Sequence, residues 1–137
     1  LDRMAIIVFS GSVDKLMAAA TLATGGVAMG LDVELFLTNW GLHAFRKDAW
    51  KTNQKISAEY AEFAPAMMAA MQAKNVPSWM DILTQAREIG NLKVMACSQT
   101  MELFGMSLDD LEPIVDDTAG VAGFIGDAQD AKLTLFI

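Results

Sequence analysis

The sequence contains few of the residues that build covalent, metal or nucleotide sites. Cys97 is the single cysteine, so an intrachain disulfide and a Cys-x-x-Cys redox motif are both excluded. The chain has one histidine and no second cysteine to reinforce a soft-metal site at its methionines, and we therefore predict no metal site. It also lacks a Gly-x-Gly-x-x-Gly pattern and a phosphate-loop lysine motif, so we expect no nucleotide or other cofactor.

Positive charge and long apolar runs are also scarce. Ten Lys and Arg residues face seventeen Asp and Glu residues, and a net charge of −7 lacks the basic footprint of a nucleic-acid-binding protein. The longest uncharged run, residues 16–31, falls short of the ~20 apolar residues of a membrane span. The apolar residues 4–9 are interrupted too early for a signal peptide. One free cysteine favours the reducing cytoplasm, and membrane contact is not predicted.

Apolar residues, in contrast, are abundant. Hydrophobic residues make up 53% of the chain, which includes ten methionines, and the mean hydropathy is +0.32. Either the core is large or apolar surface is hidden in an oligomer. A length of 137 residues suits one domain spanning 1–137.

Strand-like and helix-like segments alternate along the chain. Short apolar runs bounded by turn residues predict buried strands, and segments with helical spacing follow most of them. This alternation predicts a three-layer α/β domain with a mostly parallel sheet of about five strands. The predicted strands are 4–9, 33–38, 92–96, one around 114–115, and 132–137; the predicted helix starts are Ser12, Leu42, Ser78, Ser98, Ser107 and Thr118.

Residues 47–75 form an unusually long connection between two strands. Lys47, Lys51 and Lys55 recur at four-residue steps beside Trp50, which predicts a basic helical stripe. The second half is uncharged and rich in methionine, and Pro65 should break or begin a helix there. Because methionine is chiefly an adaptable hydrophobe, we expect this segment to pack or to form an oligomer contact rather than bind a soft metal.

Cys97 sits where a buried strand turns into a helix. The unpaired N–H groups of a helix start favour an anion, and so favour thiolate over thiol. Backbone groups of Gln99 and Thr100 could hold such an anion, and the hydroxyls of Ser98 and Thr100 could add hydrogen bonds or simply cap the helix. The same position also suits a buried cysteine that only packs, and the sequence leaves both interpretations open.

Other polar residues follow the first two predicted strands. In parallel sheets the carboxyl ends of the strands meet at one edge, where ligand sites cluster. Trp40 could wall a pocket or belong to the core, and His43 could approach Cys97 as a cation or base or lie in solvent. The candidate binding residues at this edge, besides those near Cys97, are Ser10, Gly11, Ser12, Asn39, Trp40, Gly41 and His43.

Taken in order, the segments resemble the DsrE/DsrF/TusD-like sulfur-relay family, and more closely its stand-alone DsrE-like subgroup. Each segment alone is a weak signal, but the set spans nearly the whole chain. The matching segments are FSGSVDK at 9–15, AMG at 28–30, FLTNWGL at 36–42, Ala96-Cys97 leading to Met101 and Gly105-Met106, GVA at 120–122, GDA at 126–128, and LTLFI at 133–137.

The resemblance implies a small α/β protein that assembles as a homo-oligomer, often a trimer or hexamer. In such proteins a cysteine after the middle strand accepts sulfur as a persulfide from a donor and passes it to an acceptor protein, and Cys97 matches that position. The segment at about 47–75 resembles a variable insertion of the subgroup. The function expected is therefore a sulfur-relay protein, a sulfurtransferase or sulfur carrier. The alternative is a non-catalytic α/β subunit or binding module in which Cys97 is structural.

Overall fold

A computed structural model describes residues 2–137, and within them five strands form one parallel sheet. This confirms the predicted fold class. Each strand pairs in parallel with its neighbours, in the order fourth, third, second, first, fifth. The strands are β1 (Arg3–Val8), β2 (Asp32–Leu37), β3 (Leu92–Cys97), β4 (Asp117–Ala119) and β5 (Leu133–Phe136).

Seven α-helices connect these strands within residues 2–137, together with two 3-10 helices at Ala58–Phe63 and Leu108–Asp110. None of these helices has the length and apolar character needed to cross a membrane. The α-helices are α1 (Val13–Ala28), α2 (Trp40–Ala44), α3 (Ala49–Thr52), α4 (Ala64–Ala73), α5 (Trp79–Ile89), α6 (Ser98–Phe104) and α7 (Val121–Ala128).

Helix starts follow the predicted capping residues at several places. Ser78 precedes α5 and accepts a hydrogen bond from the backbone N–H of Asp81 at 3.0 Å. Ser107 forms a reciprocal capping box with Asp110, although the helix it begins is a short 3-10 turn. Ser12 precedes α1, but its hydroxyl lies 2.9 Å from that of Ser10 instead of capping the helix.

The segment before α7 differs from the prediction. The strand lies at Asp117–Ala119, not at 114–115, and Thr118 is its central residue rather than a helix cap. The cause is Asp116, whose carboxylate accepts hydrogen bonds from the backbone N–H of Val94 at 2.8 Å and from Arg87 at 2.6 Å. These contacts fix the chain so that pairing with β3 begins at residue 117. Gly120 is the N-cap of α7.

The predicted basic helical stripe is also wrong. Only the four residues of α3 are helical there: its N-cap Asp48 is left-handed with φ 64°, and its C-cap Asn53 is extended. Lys51 pairs with Asp48 at 2.7 Å, while Lys47 and Lys55 lie outside the helix. Pro65 stands in the first turn of α4, where its missing N–H costs nothing, and so begins a helix as expected.

The two faces of the sheet are covered very differently. One face, here called the α1/α5 face, packs a large core that includes Ile6, Leu35 and Val94 against helices α1 and α5. The other, the α7 face, carries a small cluster of buried residues covered mainly by one short helix. That cluster consists of Ala5, Phe36, Met95 and Cys97 from the strands and Phe124 from α7.

Candidate functional site

Cys97 is the last residue of β3 and the N-cap of α6. Its backbone is extended, with φ −63° and ψ 115°, and residue 97 is 3% exposed. Because side chains alternate along a strand, the thiol points to the α7 face, beside Phe36 and Phe124. The cysteine is therefore free but enclosed.

Two opposing effects act on the pKa of the Cys97 thiol. Burial penalises the thiolate and raises the pKa. The neighbouring donors, namely the hydroxyl and backbone N–H of Thr100, the hydroxyl of Thr38 and the backbone N–H of Gln99, lower the pKa and together outweigh the effect of burial. The net result is a pKa below the ordinary value, so the site stabilises an anion on sulfur although it is nearly closed to solvent.

A hydrogen-bond network holds these donors in place. The hydroxyls of Thr38 and Thr100 lie 3.2 Å apart, and the backbone N–H of Asn39 donates to the Thr100 hydroxyl at 3.2 Å. The side-chain amide of Asn39 donates to the Thr38 hydroxyl at 3.3 Å. Since one of the two hydroxyls donates to the other, one hydroxyl proton of the pair remains free to point towards Cys97. Thr38 was not among the predicted site residues, because it looked like the end of a strand.

The turn after β2 is strained at the point where it meets this network. Asn39 has φ 51° and ψ −123°, a region that residues with a side chain rarely adopt. The chain is also crowded there, since a Cβ on Gly41 would collide with the carbonyl oxygen of Val8, and one on Gly11 with that of Trp40. The two predicted glycines thus allow the ends of β1 and β2 to approach each other closely.

The remaining predicted residues are divided between two places. Ser98 and Gln99 are exposed at the start of α6, and only the backbone of Gln99 reaches the thiol. Ser10, Gly11, Ser12, Trp40 and His43 line a separate cavity of about 630 Å³ that does not include Cys97. The loops at the carboxyl ends of the strands do meet at one edge of the sheet, as expected. Their side chains, however, are divided between two sites.

His43 is not placed to assist the thiol. Its ring packs against Phe104, with centroids 4.4 Å apart, and against Trp40 at 5.6 Å. Desolvation, followed by the charges of Arg46 and Lys55, lowers the pKa of His43, so the ring is neutral near pH 7. Nδ1 accepts a hydrogen bond from Arg46 at 3.4 Å, and among residues 2–137 no hydrogen bond joins His43 to Cys97.

Fold and site together define a parallel α/β protein with a hydrogen-bonded cysteine at the carboxyl edge of its middle strand. The sequence profile of the DsrE/DsrF/DrsH-like family matches residues 1–70 and 58–136. The chain therefore belongs to the DsrE/DsrF/DrsH-like family. In residues 2–137 no group of three or more His, Cys, Asp or Glu side chains is arranged to hold a metal ion.

Three known proteins resemble the whole chain. "Uncharacterized protein YrkE" of Bacillus subtilis is 32% identical, over 98% of this chain and 96% of the relative. "Sulfur carrier protein DsrE2" of Allochromatium vinosum is 25% identical, over 98% of both chains. The solved structure of MTH1491, a protein of unknown function from Methanobacterium thermoautotrophicum, superposes with a TM-score of 0.59 at 15% identity. The superposition covers 98% of this chain and 97% of the MTH1491 chain, and at this identity it shows a likeness of fold alone.

Proposed function

We propose that this protein is a sulfur carrier that holds sulfane sulfur as a persulfide on Cys97. Membership of the DsrE/DsrF/DrsH-like family and the similarity to a protein named as a sulfur carrier favour a role in sulfur relay. The observation that carries the proposal is the position of a buried thiol at the start of α6, beside the bonded hydroxyls of Thr38 and Thr100, an environment that lowers its pKa. A cysteine that only packs needs no such donors.

The proposed step is a thiol exchange without net oxidation or reduction. The Cys97 thiolate attacks the outer sulfur of a donor persulfide, the donor's S–S bond breaks, and its electron pair leaves with the donor as a thiolate. Cys97 then carries one extra sulfur, deprotonated or protonated at its outer atom. An acceptor thiolate attacks that outer sulfur, and the Cys97 thiolate leaves, stabilised again by Thr100, Thr38 and Gln99. The two steps return the protein to its starting state.

Donor and acceptor must reach a thiol that is 3% exposed. This burial is the observation that favours the second candidate function, a non-catalytic subunit in which Cys97 fills space beside Phe36. Transfer requires α7 to move or to be displaced, and α7 is eight residues long with Val121 and Ile125 largely exposed. A helix with so little buried surface opens at low cost.

Intact-mass spectrometry tests the proposal directly. After incubation with polysulfide or a persulfide donor and removal of the excess, the native protein should gain whole sulfur atoms that a reductant removes. The Cys97→Ser variant is a matched control, because it keeps the size of the side chain and removes the nucleophile. An equal gain in that variant, or no gain in the native protein with any donor, would support the structural alternative.

We also infer a homo-oligomer, a trimer or hexamer, which works in the cytoplasm with separate donor and acceptor proteins. We treat 1–137 as one domain in which about 47–75 is a variable insertion. The association of several chains is supported by the apolar surface that the single chain leaves exposed. On α7 and β5, Ile125 is 56% and Phe136 67% exposed, and in the insertion Phe63 is 56% exposed.

Light scattering can assign the oligomer contact. If the insertion forms it, Phe63→Ser should lower the molecular mass in solution and Ile125→Ser should not. If α7 forms it, the effects should be reversed. A native protein that scatters as a monomer at all concentrations would exclude both contacts.

A further inference from the structure

The cavity of about 630 Å³ beside the start of α1 has a composition that the sulfur chemistry of Cys97 does not explain. One part of its wall is polar, with the hydroxyls of Ser10 and Ser12 and the ammonium-bearing Lys55. Another part is apolar, with Ile56 and the indole of Trp40, which is 56% exposed. Its volume lies in the usual range of small-molecule sites.

The charge at this cavity is positive, although the net charge of the chain is −7. Lys55 makes no salt bridge with any of residues 2–137, and both Lys55 and Arg46 act on His43 as positive charges. The nearby carboxylates of Asp14 and Asp48 do not line the cavity, although Oδ1 of Asp14 is buried and has no partner within residues 2–137. Asp14 accepts hydrogen bonds from Ser57, and Asp48 pairs with Lys51.

Unpartnered donors are present as well. Because Nδ1 of His43 accepts from Arg46, the proton of this neutral ring is on Nε2, which is buried and has no partner within residues 2–137. Ser10 and Ser12 bond to each other at 2.9 Å, so one hydroxyl proton of the pair is left for Asp14, which the Ser12 side chain also approaches, or for a ligand. A wall with a free cation and spare donors, in an acidic protein, suits a negatively charged ligand.

We propose that this cavity binds a small organic anion, with the negative group at Lys55, Ser10 and Ser12 and the apolar body against Trp40. The backbone that shapes the cavity is held independently of the Lys55 side chain. The carbonyl of Lys55 accepts from the N–H of Val13 at 2.6 Å, and its N–H donates to the Asn53 side chain at 3.1 Å. The cationic end of Lys55 can therefore be changed without removing these bonds.

The single histidine of the chain makes the test specific. His43 lines the cavity, so its ring resonances in proton NMR report on this site alone. We choose benzenesulfonate as the probe, since it is permanently charged, has an apolar ring and does not react with Cys97. Sulfate lacks the ring, and benzenesulfonamide keeps the ring but is neutral. All titrations are run at constant ionic strength.

Benzenesulfonate should shift the His43 resonances in a saturable way, and sulfate should bind more weakly. Benzenesulfonamide should bind about tenfold more weakly or not at all, because it lacks the charge-assisted contacts. At saturation the pKa of His43 should rise, because the anion offsets the positive charges that now lower it. Equal binding of the neutral sulfonamide, equal binding of sulfate, or no saturable shift with benzenesulfonate would overturn the proposal.

Variants at Lys55 assign the contact. Lys55→Gln should weaken benzenesulfonate binding about tenfold, and Lys55→Arg should keep it, since the charge is retained. Lys74→Gln is the matched control, because Lys74 is exposed after α4 and does not line the cavity. Amide spectra confirm that each variant is folded. Unchanged affinity in Lys55→Gln, or equal loss in Lys74→Gln, would contradict the assignment.

Discussion

The two faces of the sheet differ in the size of the core that each buries and in which one carries Cys97. On the α1/α5 face, side chains such as Leu16, Leu35 and Leu83 are at most 2% exposed. They pack together between the sheet and the helices α1 and α5. On the α7 face, the buried cluster has five residues, and the thiol is one of them. Most of the buried core therefore lies on one face, and the cysteine lies on the other. The sulfur transfer proposed for Cys97 requires the α7 face to open and leaves the α1/α5 face folded.

The contacts of α7 show how limited its attachment is. Phe124 stacks on Phe36 with ring centroids 4.5 Å apart and planes 9° apart. Asp127 adds ion pairs with Arg3 at 3.7 Å and Lys93 at 3.6 Å, between side chains that are about half exposed. Surface pairs of this kind contribute little. The stacking of Phe124 on Phe36 is thus the main contact that holds α7 over Cys97.

The largest effect is expected in the α1/α5 face. Leu83→Ala removes a side chain that is 2% exposed and leaves a cavity, so the free energy of unfolding should fall by about 2–5 kcal/mol in chemical denaturation. Ile89→Ala lies in the same helix, but Ile89 is 64% exposed, and that variant should lose less than about 1 kcal/mol. Similar losses in the two variants would mean that this face is not the main core.

Phe124→Ala should separate stability from access. Because α7 can detach while the larger core persists, we expect a loss of about 1–3 kcal/mol, less than a fully packed Phe would cost. The rate at which iodoacetamide alkylates Cys97 should rise about tenfold or more, as the closed state loses its main contact. Ile125→Ala in the same helix is the control, because Ile125 is 56% exposed. An unchanged alkylation rate in Phe124→Ala would show that α7 does not limit access.

Thr100→Val should act on the chemistry of the thiol. It removes the hydroxyl that meets Thr38 and Asn39 and should cost about 1–2 kcal/mol of stability. It also removes a donor to the thiolate, so the pKa of Cys97 should rise, which the pH dependence of thiolate absorbance, relative to Cys97→Ser, would record. Ser98→Ala should leave both quantities unchanged, since the Ser98 side chain is exposed. A pKa of Cys97 that stays the same in Thr100→Val would remove Thr100 from the site.

The lowered pKa of Cys97 also predicts how stability depends on pH. Because the native thiol has the lower pKa, the unfolded chain holds its proton to higher pH. The stabilisation is complete above the pKa of the unfolded thiol and is lost as the pH falls through the native pKa. The free energy of unfolding of the native protein minus that of Cys97→Ser should therefore grow as the pH rises across this window. A constant difference would contradict the lowered pKa.

The smallest effect is expected at the ion pairs of α7. Asp127→Asn removes both pairs and should change stability by less than about 1 kcal/mol. Burial, and secondarily a hydrogen bond with Asp127, raises the pKa of Glu34, so that pKa should fall in the variant when carboxyl titrations are followed by NMR. Asp130→Asn, just beyond α7, should leave the pKa of Glu34 unchanged. A large loss of stability in Asp127→Asn would mean that charge, not Phe124, holds α7.

Local patterns predicted most of the fold. Continuous apolar runs located β1 and β2 to within about a residue at each end, and the cap at Ser78 located α5. The error at 114–119 came from Asp116, whose partners Val94 and Arg87 are far away in the sequence, so no local pattern could show them.

The site was only partly predictable, because its side-chain contacts also join residues that are far apart in the sequence. The edge rule brought the loops after β1, β2 and β3 together, but it does not say on which face a side chain lies. Alternation along β3 sends Cys97 to the α7 face, while Ser10 and His43 line a different cavity. Thr38 was missed because only its contact with Thr100 reveals its role. A polar residue directly after a buried strand, next to the cysteine strand, was the available signal.

The proposed function requires Cys97 to be a reachable thiol with a lowered pKa, and not a thiol that only packs. Its alkylation by iodoacetamide in the folded protein, followed by intact mass across a range of pH, tests this most directly, because the chain has no other cysteine. We expect modification without unfolding, with an apparent pKa below that of the denatured protein. A thiol that reacts only when the chain unfolds, or whose native pKa lies above the denatured value, would contradict the account.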